Sequence, residues 1–248
     1  MTAFAAIDKF LGVSFPDDCS AQPHVNFNVP LPSVLETPRV KLTPFIPSLH
    51  GEIVFATYSK TPELGQYLPI SFPAYQDFVS FIENFMQAGQ DNVLFAIIDK
   101  AKDEADPQMS LAGIIGIVHC NPRNRAAEIG PVIILPAFQR TFVSSNAIGR
   151  ILKYLLDVPS AGGLGFRRVA WTANPENQAS IRAAERMGFR REGILRWTWC
   201  LPEGLPGKES GRERGEALGR DSICLAICWD DWENGGKELV ESLIRRAQ

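Results

Sequence analysis

Apolar residues in the first half of the chain follow patterns that are typical of β-strands. Residues 39–45 (RVKLTPF) alternate between apolar and polar, and strand-like apolar runs follow at residues 93–99, 111–119 and 127–135. The turn-rich segments KDEADPQ and NPRNR separate the last three runs. Connections this short predict an antiparallel meander. Two helical stretches, residues 48–58 and 74–88, precede it, and the Pro- and Gly-containing segment 61–73 between them is a candidate substrate-side loop.

The apolar spacing changes to three- and four-residue steps in the second half of the chain. This spacing predicts a helix over residues 145–157, with an apolar face formed by Ala147, Ile148, Ile151, Leu152, Leu155 and Leu156. A strand is predicted at residues 168–172, which completes a strand–helix–strand unit that normally contains a parallel pair. A second helix is predicted at residues 177–187, closed by Gly188 at its left-handed end with Phe189 packing back onto the last turn.

The remaining sequence predicts two strands, a long loop and a final helix. The strands are residues 193–200 and 222–229, the polar loop between them covers residues 203–220, and the helix is residues 237–246. Residues 1–36 are Pro-rich and irregular, so we expect an N-terminal arm followed by a single domain over residues 37–248.

Composition narrows the class of protein. The chain has 248 residues, 45% of them hydrophobic and 21% charged, which is typical of a globular protein with one large domain. A formal net charge of −3 gives no basic field for nucleic acid, and no apolar run approaches the roughly 20 residues that a membrane span needs. We therefore expect neither nucleic acid nor membrane as a partner.

The spacing of the cysteines and histidines indicates whether the chain could bind a metal, and the N-terminal sequence indicates whether it could carry a signal peptide. The 5 cysteines form no CxxC pair, and the 3 histidines have neither metal-ligand nor triad spacing, so we expect no metal. Asp8 and Lys9 interrupt the first apolar stretch, which argues against a signal peptide. A reducing, cytoplasmic location is expected.

The turn that leads into the first predicted helix of the second half is a candidate anion site. Residues 139–145 would direct free backbone N–H groups and the positive end of the helix dipole at one point in space, where a pyrophosphate fits best. Ser144 and Ser145 either donate to that anion or cap the helix.

Four segments together resemble the GCN5-related N-acetyltransferase (GNAT) superfamily, in particular its ribosomal-protein N-terminal acetyltransferases. They are PELGQYLPISFP at residues 62–73, AEIGPVIILPAFQRTFVSSNA at 127–147, NPENQASIRAAERMGFRREGILR at 174–196 and RDSICLAICWDDW at 220–232. The resemblance covers residues 38–232. It implies an α/β (α+β) fold with a mixed, mostly antiparallel sheet, a splayed central parallel pair and helices on both faces.

The resemblance also implies where acetyl-CoA binds. Backbone groups of Val132, Ile133, Ile134 and Leu135 would contact the pantetheine, which inserts between the splayed strands like an additional strand. The positions that match the phosphate loop are Gln139, Arg140, Thr141, Phe142, Val143, Ser144 and Ser145. Phe142 and Ser144 stand where the family has small residues, so either the Phe142 ring turns away or the pyrophosphate lies farther out.

Further matches imply the catalytic groups. Asn177 and Ser180 match an N-x-x-S pattern in which the Asn contacts the cofactor and the Ser hydrogen-bonds the departing thiolate; Asn177 is alternatively an N-cap. Ala184 replaces the usual tyrosine acid, which leaves Ser180 or a water for that role. Glu128 is the first choice for the general base. Its structural alternative is an ion pair with Arg123 or Arg125, and the alternative bases are Glu192, Glu203 and Asp221.

The predicted function is an acetyl-CoA-dependent N-acetyltransferase that moves an acetyl group directly onto a primary amine of a small molecule or peptide N-terminus. We expect a monomer or homodimer. Two alternatives stay open: a CoA-binding or interaction protein that has lost turnover, and a transferase of an aminoacyl or longer acyl group on the same fold.

Overall fold

A computed structural model describes residues 25–32 and 34–246 of the chain. One 8-stranded sheet runs through them in the order β1-β2-β3-β4-β5-β6-β8-β7. The strands are β1 Leu35–Glu36, β2 Val40–Pro44, β3 Val93–Asp99, β4 Leu111–Asn121, β5 Ala126–Ile134, β6 Arg168–Ala173, β7 Arg190–Cys200 and β8 Gly219–Cys228.

Seven α-helical segments accompany the sheet in the described part of the chain: α1 Glu52–Lys60, α2 Tyr75–Phe81, α3 Pro107–Ser110, α4 Val143–Leu156, α5 Gln178–Arg186, α6 Trp229–Asp231 and α7 Lys237–Arg245. Wider π-type turns precede α1 at Pro47–Gly51, extend α2 at Ile82–Met86 and join α6 to α7 at Trp232–Gly236. None of the helices in the described ranges has the length and apolar character that crossing a membrane requires.

Strands β5 and β6 form a parallel pair within an otherwise antiparallel sheet, as the strand–helix–strand pattern predicts. Their pairing is short, because only Ala126–Glu128 of β5 lie opposite Arg168–Ala170 of β6. Beyond Glu128 the register of β5 with β4 shifts, since Ile117 faces Ile129 and Ile115 faces Val132. Such a bulge bends the strand, and the two strands diverge. The mixed, splayed sheet with helices on both faces is therefore confirmed.

Each face of the sheet carries its own hydrophobic core. On one face, α4 buries Ile148, Ile151 and Leu152, which are at most 1% exposed, together with residues of α5 and α7. The other face is covered by α1 and α2 and is rich in aromatic side chains, among them Phe72 and Phe78 in edge contact at 5.3 Å. The three- and four-residue spacing that predicted α4 is the face buried here.

A cluster of charged residues around Asp157 connects α7 with the C-terminal end of α4. The Asp157 side chain is only 5% exposed and pairs with Lys153 at 3.2 Å and Lys237 at 2.8 Å. The Trp232 indole N–H donates to the same carboxylate at 3.1 Å. Burial alone raises the pKa of Asp157, but these three donors outweigh it and hold the pKa below its ordinary value.

The predicted N-terminal arm lies largely outside the described residues, including Cys19 and His24. In its described part, Phe27 and Val29 are buried in the core beside α4, and Leu35 pairs with Leu42 of β2. The boundary of the arm near residue 36 stays a prediction.

Candidate active site

A cavity of about 520 Å³ lies in the gap where β5 and β6 diverge, which we call the fork. Its walls come from the end of β5, the turn that follows it, the starts of α4 and α5, Trp171 of β6, and the segment that follows α1. Among its lining residues are Val132, Ile133, Ile134, Gln139, Ser144, Asn177 and Ser180, all of them expected from the sequence. The structure thus brings together the strand, the turn and the second helix start that the sequence singled out separately.

The edge of β5 that faces the cavity has no neighbouring strand beyond Glu128, although the Ile134 carbonyl accepts a hydrogen bond from Gln139 Nε2 at 3.0 Å. In the described part of the chain, residues 129–134 have no strand partner on the β6 side. An extended ligand can add to such an edge as a further strand would. Leu135 differs, because its N–H donates to the Ala112 carbonyl at 2.9 Å and its carbonyl accepts from the Phe138 N–H at 2.9 Å.

The start of α4 has free N–H groups, and Ser144 lines this cavity whereas Ser145 lines a separate cavity of about 90 Å³. Ser144 and Ser145 occupy the first turn, and neither amide has a backbone partner among the described residues. Val143 is fully buried and its N–H reaches Thr141 Oγ1 at 3.3 Å. Arg140 is exposed, with a φ of 61°. The first turn of α4 can therefore bind an anion through backbone donors together with the helix dipole.

Phe142 turns its ring away from the fork. The Arg39 guanidinium lies over the ring at 3.5 Å from the centroid, and the ring packs against the core on the α4 face. Phe142 lines a separate cavity of about 90 Å³ together with Leu243 and Arg246. The sequence allowed either a Phe142 ring that turns away or a pyrophosphate that lies farther out. In the structure the ring turns away, and the large side chain does not fill the fork.

At the start of α5, Asn177 caps the helix and the Ser180 hydroxyl accepts a hydrogen bond from an indole. Asn177 Oδ1 accepts from the Ser180 N–H at 3.0 Å, so Asn177 caps the helix while it also lines the cavity. The Trp171 indole N–H donates to Ser180 Oγ at 3.0 Å. An indole N–H can only donate, so the Ser180 hydroxyl is the acceptor and keeps its own proton for another partner.

Glu128 lies where β5 and β6 part, in the last pair of the short parallel ladder. Its carboxylate is 3.2 Å from His119 Nδ1, and its side chain is 21% exposed. The hydrogen bond that the imidazole donates to the Glu128 carboxylate raises the pKa of His119 above 6.5, against the effect of burial. Arg123 is not an ion-pair partner of Glu128 within the described ranges. Glu128 is outside the lining of the 520 Å³ cavity.

The alternative bases are engaged or exposed. Glu192 makes two bonds to the Arg168 guanidinium, of 2.6 and 2.5 Å, which hold the pKa of Glu192 below its usual value. Asp221 pairs with Lys208, and this contact lowers the pKa of Asp221. A carboxylate with a lowered pKa is a weaker base. Glu203 is exposed on the loop after β7. Glu128 is left as the carboxylate at the fork without a Lys or Arg ion pair in the described residues.

A second cavity, of about 920 Å³, adjoins the first, and both are lined by Gln66 and Tyr67. Its walls come from the end of α1, the segment 61–73, the turn 174–176, residues 205–208 of the loop after β7, and the start of β8. The sequence suggested the segment 61–73 as a substrate-side loop. Tyr58 and Phe72 give it aromatic surface. The two cavities therefore lie around the same two residues, one at the β5 edge and the other bounded by loops.

Charged residues at the start of β8 face the second cavity. Asp221 pairs with Lys208 and accepts from the Trp197 N–H at 3.0 Å. Arg220 is 9% exposed and donates to the Tyr67 carbonyl at 2.7 Å. This bond ties β8 to the segment 61–73.

One close group of potential metal ligands occurs in the described part of the chain: Cys228, Asp230 and Asp231 at the end of β8. Asp231 is already paired with Arg190 at 2.8 Å and accepts from the Cys228 N–H at 3.1 Å. The group is outside both cavities.

Sequence reasoning missed several residues in or near the candidate site. His119 and Trp171 were given no part in the site, although they contact Glu128 and Ser180. Arg220 was predicted only as the last residue of the polar loop 203–220, whereas the structure places it in β8. No local pattern identifies these residues, because each acts across elements that only the sheet order brings together.

Comparison with known proteins gives a consistent family. The sequence model of the acetyltransferase (GNAT) domain matches residues 39–190. The chain is 28% identical over 163 residues to the N-acetyltransferase YoaA of Bacillus subtilis, which covers 66% of this chain and 86% of that protein.

Solved structures are similar over most of the chain. A GCN5-related N-acetyltransferase from Brucella melitensis aligns with a TM-score of 0.67 and 27% identity, covering 85% of this chain and 84% of that one. A spermidine N-acetyltransferase from Vibrio cholerae in complex with CoA and spermine aligns with a TM-score of 0.55 and 16% identity, over 80% of this chain and 100% of that one. At that identity the second likeness concerns the fold alone.

Proposed function

Since the chain belongs to the GNAT acetyltransferase family, we propose that it moves an acetyl group from acetyl-CoA directly onto a primary amine. The observation that carries this proposal is that two neighbouring cavities share the lining residues Gln66 and Tyr67. One cavity offers backbone donors and an open strand edge, and the other offers a loop-bounded pocket. Two substrates can therefore meet at the fork, where positioning supplies much of the acceleration.

The residues at the fork fit acetyl-CoA. Residues 132–134 of β5 offer an unpaired edge to its pantetheine, and the Ser144 and Ser145 amides offer donors to its pyrophosphate. Arg140 adds a positive charge nearby. The turned-away ring of Phe142 supports this assignment, since it removes the obstacle that its size suggested. When bound, acetyl-CoA supplies an acetyl thioester, in which the acyl carbon is open to attack.

Glu128 is assigned to the acceptor amine. An alkylamine is protonated at neutral pH, so a base must take a proton before its nitrogen can attack. Glu128 does this directly or through a water, and His119 orients its carboxylate. Once the new C–N bond forms and the C–S bond breaks, the sulfur requires a proton or a hydrogen-bond donor. The proton that Ser180 keeps while it accepts from Trp171 is suited to that role.

The finer assignments stay predictions. These are the place among ribosomal-protein N-terminal acetyltransferases, the choice between a small-molecule and a peptide amine, a monomeric or homodimeric state, and a cytoplasmic location. A CoA-binding protein without turnover is the second candidate. It rested on the changed phosphate loop, and the position of Phe142 weakens that argument.

Titration calorimetry with acetyl-CoA, and separately with free CoA, tests the proposal. We expect micromolar binding of both, which corresponds to about −8 kcal/mol. CoA release with a panel of primary amines then tests turnover. Binding without CoA release for any amine would favour the protein without turnover, tighter binding of long-chain acyl-CoA would favour transfer of a larger group, and no binding of either ligand would overturn the proposal.

A further inference from the structure

The Arg220 guanidinium is buried in the wall of the acceptor cavity with neutral partners. Its Nη1 donates to the Tyr67 carbonyl at 2.7 Å, and its Nη2 donates to Ser222 Oγ at 3.2 Å. Its Nε is buried and has no hydrogen-bond partner. A guanidinium has five N–H donors, so its hydrogen-bonding capacity is only partly used.

No carboxylate neutralises this buried charge. Within the described ranges, Arg220 forms no ion pair with Asp or Glu. The adjacent Asp221 is engaged by Lys208 and by the Trp197 N–H. Burial without a counter-charge lowers the pKa of Arg220, which is the sign of a cation that lacks a partner. A buried charge without a counter-ion destabilises the folded protein, and binding of a ligand anion would offset this destabilisation.

The cavity lining carries two cations and two carboxylates, and Arg220 is the cation without an ion pair among the described residues. Lys208 and Asp221 neutralise each other, and Glu176 is exposed at the rim. An acceptor with several ammonium groups is therefore repelled by Arg220. An acceptor that carries both a carboxylate and an amine is attracted, and the nearby positive charge also helps its ammonium to release a proton.

We infer that the 920 Å³ cavity binds an amine acceptor that also carries a carboxylate, with Arg220 as the partner of the carboxylate. Tyr58 and Phe72 provide apolar aromatic surface for the rest of the molecule. An α-amino acid with an apolar side chain has this chemistry. The inference rests on the proposed function, since it assigns the acceptor of the same reaction.

Matched pairs of amines test this directly. Phenylalanine and phenethylamine differ only in the carboxylate, as do tyrosine and tyramine, while spermidine carries only positive charge. With the full chain and saturating acetyl-CoA, we expect kcat/KM to be at least tenfold higher for the amino acid of each pair. Equal or higher values for phenethylamine, tyramine or spermidine would overturn the inference.

Variants connect the preference to Arg220. Arg220→Met should remove the preference for the carboxylate, and Arg220→Lys should retain part of it because the charge is kept. Arg245→Met, an exposed cation on α7, is the matched control and should leave the ratio unchanged. Both amines of a pair are measured on the same variant. The ratio of their kcat/KM values is therefore insensitive to a general loss of activity caused by a more mobile segment 61–73.

A binding measurement separates failure of the inference from failure of the proposed function. Calorimetry of phenylalanine into protein saturated with free CoA involves no transfer, and we expect affinity to fall at least tenfold in Arg220→Met. If the protein binds acetyl-CoA but shows no carboxylate dependence in binding or turnover, only the inference is overturned. If it binds neither acetyl-CoA nor CoA, the proposed function fails and the inference fails with it.

Discussion

The two cavities that meet at Gln66 and Tyr67 are built from different kinds of groups. The fork offers backbone: an unpaired edge of β5 and the free amides at the start of α4. The acceptor cavity offers side chains from two connecting segments, with Arg220 and the Lys208–Asp221 pair among them. A backbone site tolerates side-chain change, so Phe142 and Ser144 can stand in the phosphate loop. A side-chain site changes its ligand when a residue changes, and specificity is therefore expected in the second cavity.

Glu128 lies where β5 and β6 part, outside the lining of both cavities, and as the proposed base its replacement should have the largest effect. Glu128→Gln removes the proposed base while it keeps the shape of the side chain, so kcat should fall by roughly 10²–10⁴. Acetyl-CoA affinity should stay nearly unchanged in calorimetry, because the proposed contacts of acetyl-CoA at the fork are with backbone groups. Glu192→Gln is the control, with less than a tenfold change expected, since Glu192 is held by Arg168. An unchanged rate in Glu128→Gln would assign the base to another residue.

The framework behind the fork depends on Asp157. Asp157→Asn leaves Lys153 and Lys237 without their buried partner, and we expect a loss of about 3 kcal/mol in the free energy of unfolding at pH 7. Because the folded pKa of Asp157 lies below the 3.8 of the free group, this stabilisation is complete above about pH 4 and is lost as the pH falls through the folded value.

Denaturant unfolding at several pH values measures this effect. The gap between wild type and Asp157→Asn should close in acid. Glu241→Gln removes a more exposed partner of Lys153 and should cost less than about 1 kcal/mol. A gap that stays constant down to pH 2 would show that the lost stability does not come from the carboxylate charge.

Asn177 should show a smaller, divided effect, because it both caps α5 and lines the fork. Asn177→Ala should cost about 1 kcal/mol in the free energy of unfolding of the ligand-free protein through loss of the cap. Asn177→Asp keeps a capping oxygen and serves as the matched variant. If Asn177→Asp restores the stability and acetyl-CoA still binds more weakly, the amide contacts the ligand. Equal affinity in all three proteins would leave the cap as its only role.

Elements with a strong local pattern were predictable to within a few residues. The spacing of Ile148, Ile151 and Leu155 defined α4, and Gly188, with a φ of 92°, ends α5 as the Gly-Phe pair predicted. The parallel pair followed from strand–helix–strand order, and the cap at Asn177 was one of two readings of that residue. These features depend on a few neighbouring residues, which a single sequence displays.

Contacts across the sheet were not predictable, because they depend on register and on loop paths. His119 reaches Glu128 only because the pairing of β4 with β5 shifts between Val118 and Asn121. Arg220 binds the carbonyl of Tyr67, 153 residues earlier in the chain. Neither contact has a spacing that a sequence could display. The sequence therefore indicated the segment 61–73, which borders the acceptor cavity, but it did not indicate the role of Arg220 in that cavity.

Phe142 should have the smallest effect on ligand binding, although its size made it the most conspicuous change in the phosphate loop. The ring packs under Arg39 and away from the fork, so Phe142→Gly should change CoA affinity by less than twofold in calorimetry. The melting temperature should fall, because a partly buried ring is lost at the start of α4. Phe142→Leu retains apolar volume and should melt closer to wild type. Markedly tighter CoA binding in Phe142→Gly alone would mean that the ring obstructs the phosphate site, and that side chains as well as backbone set affinity at the fork.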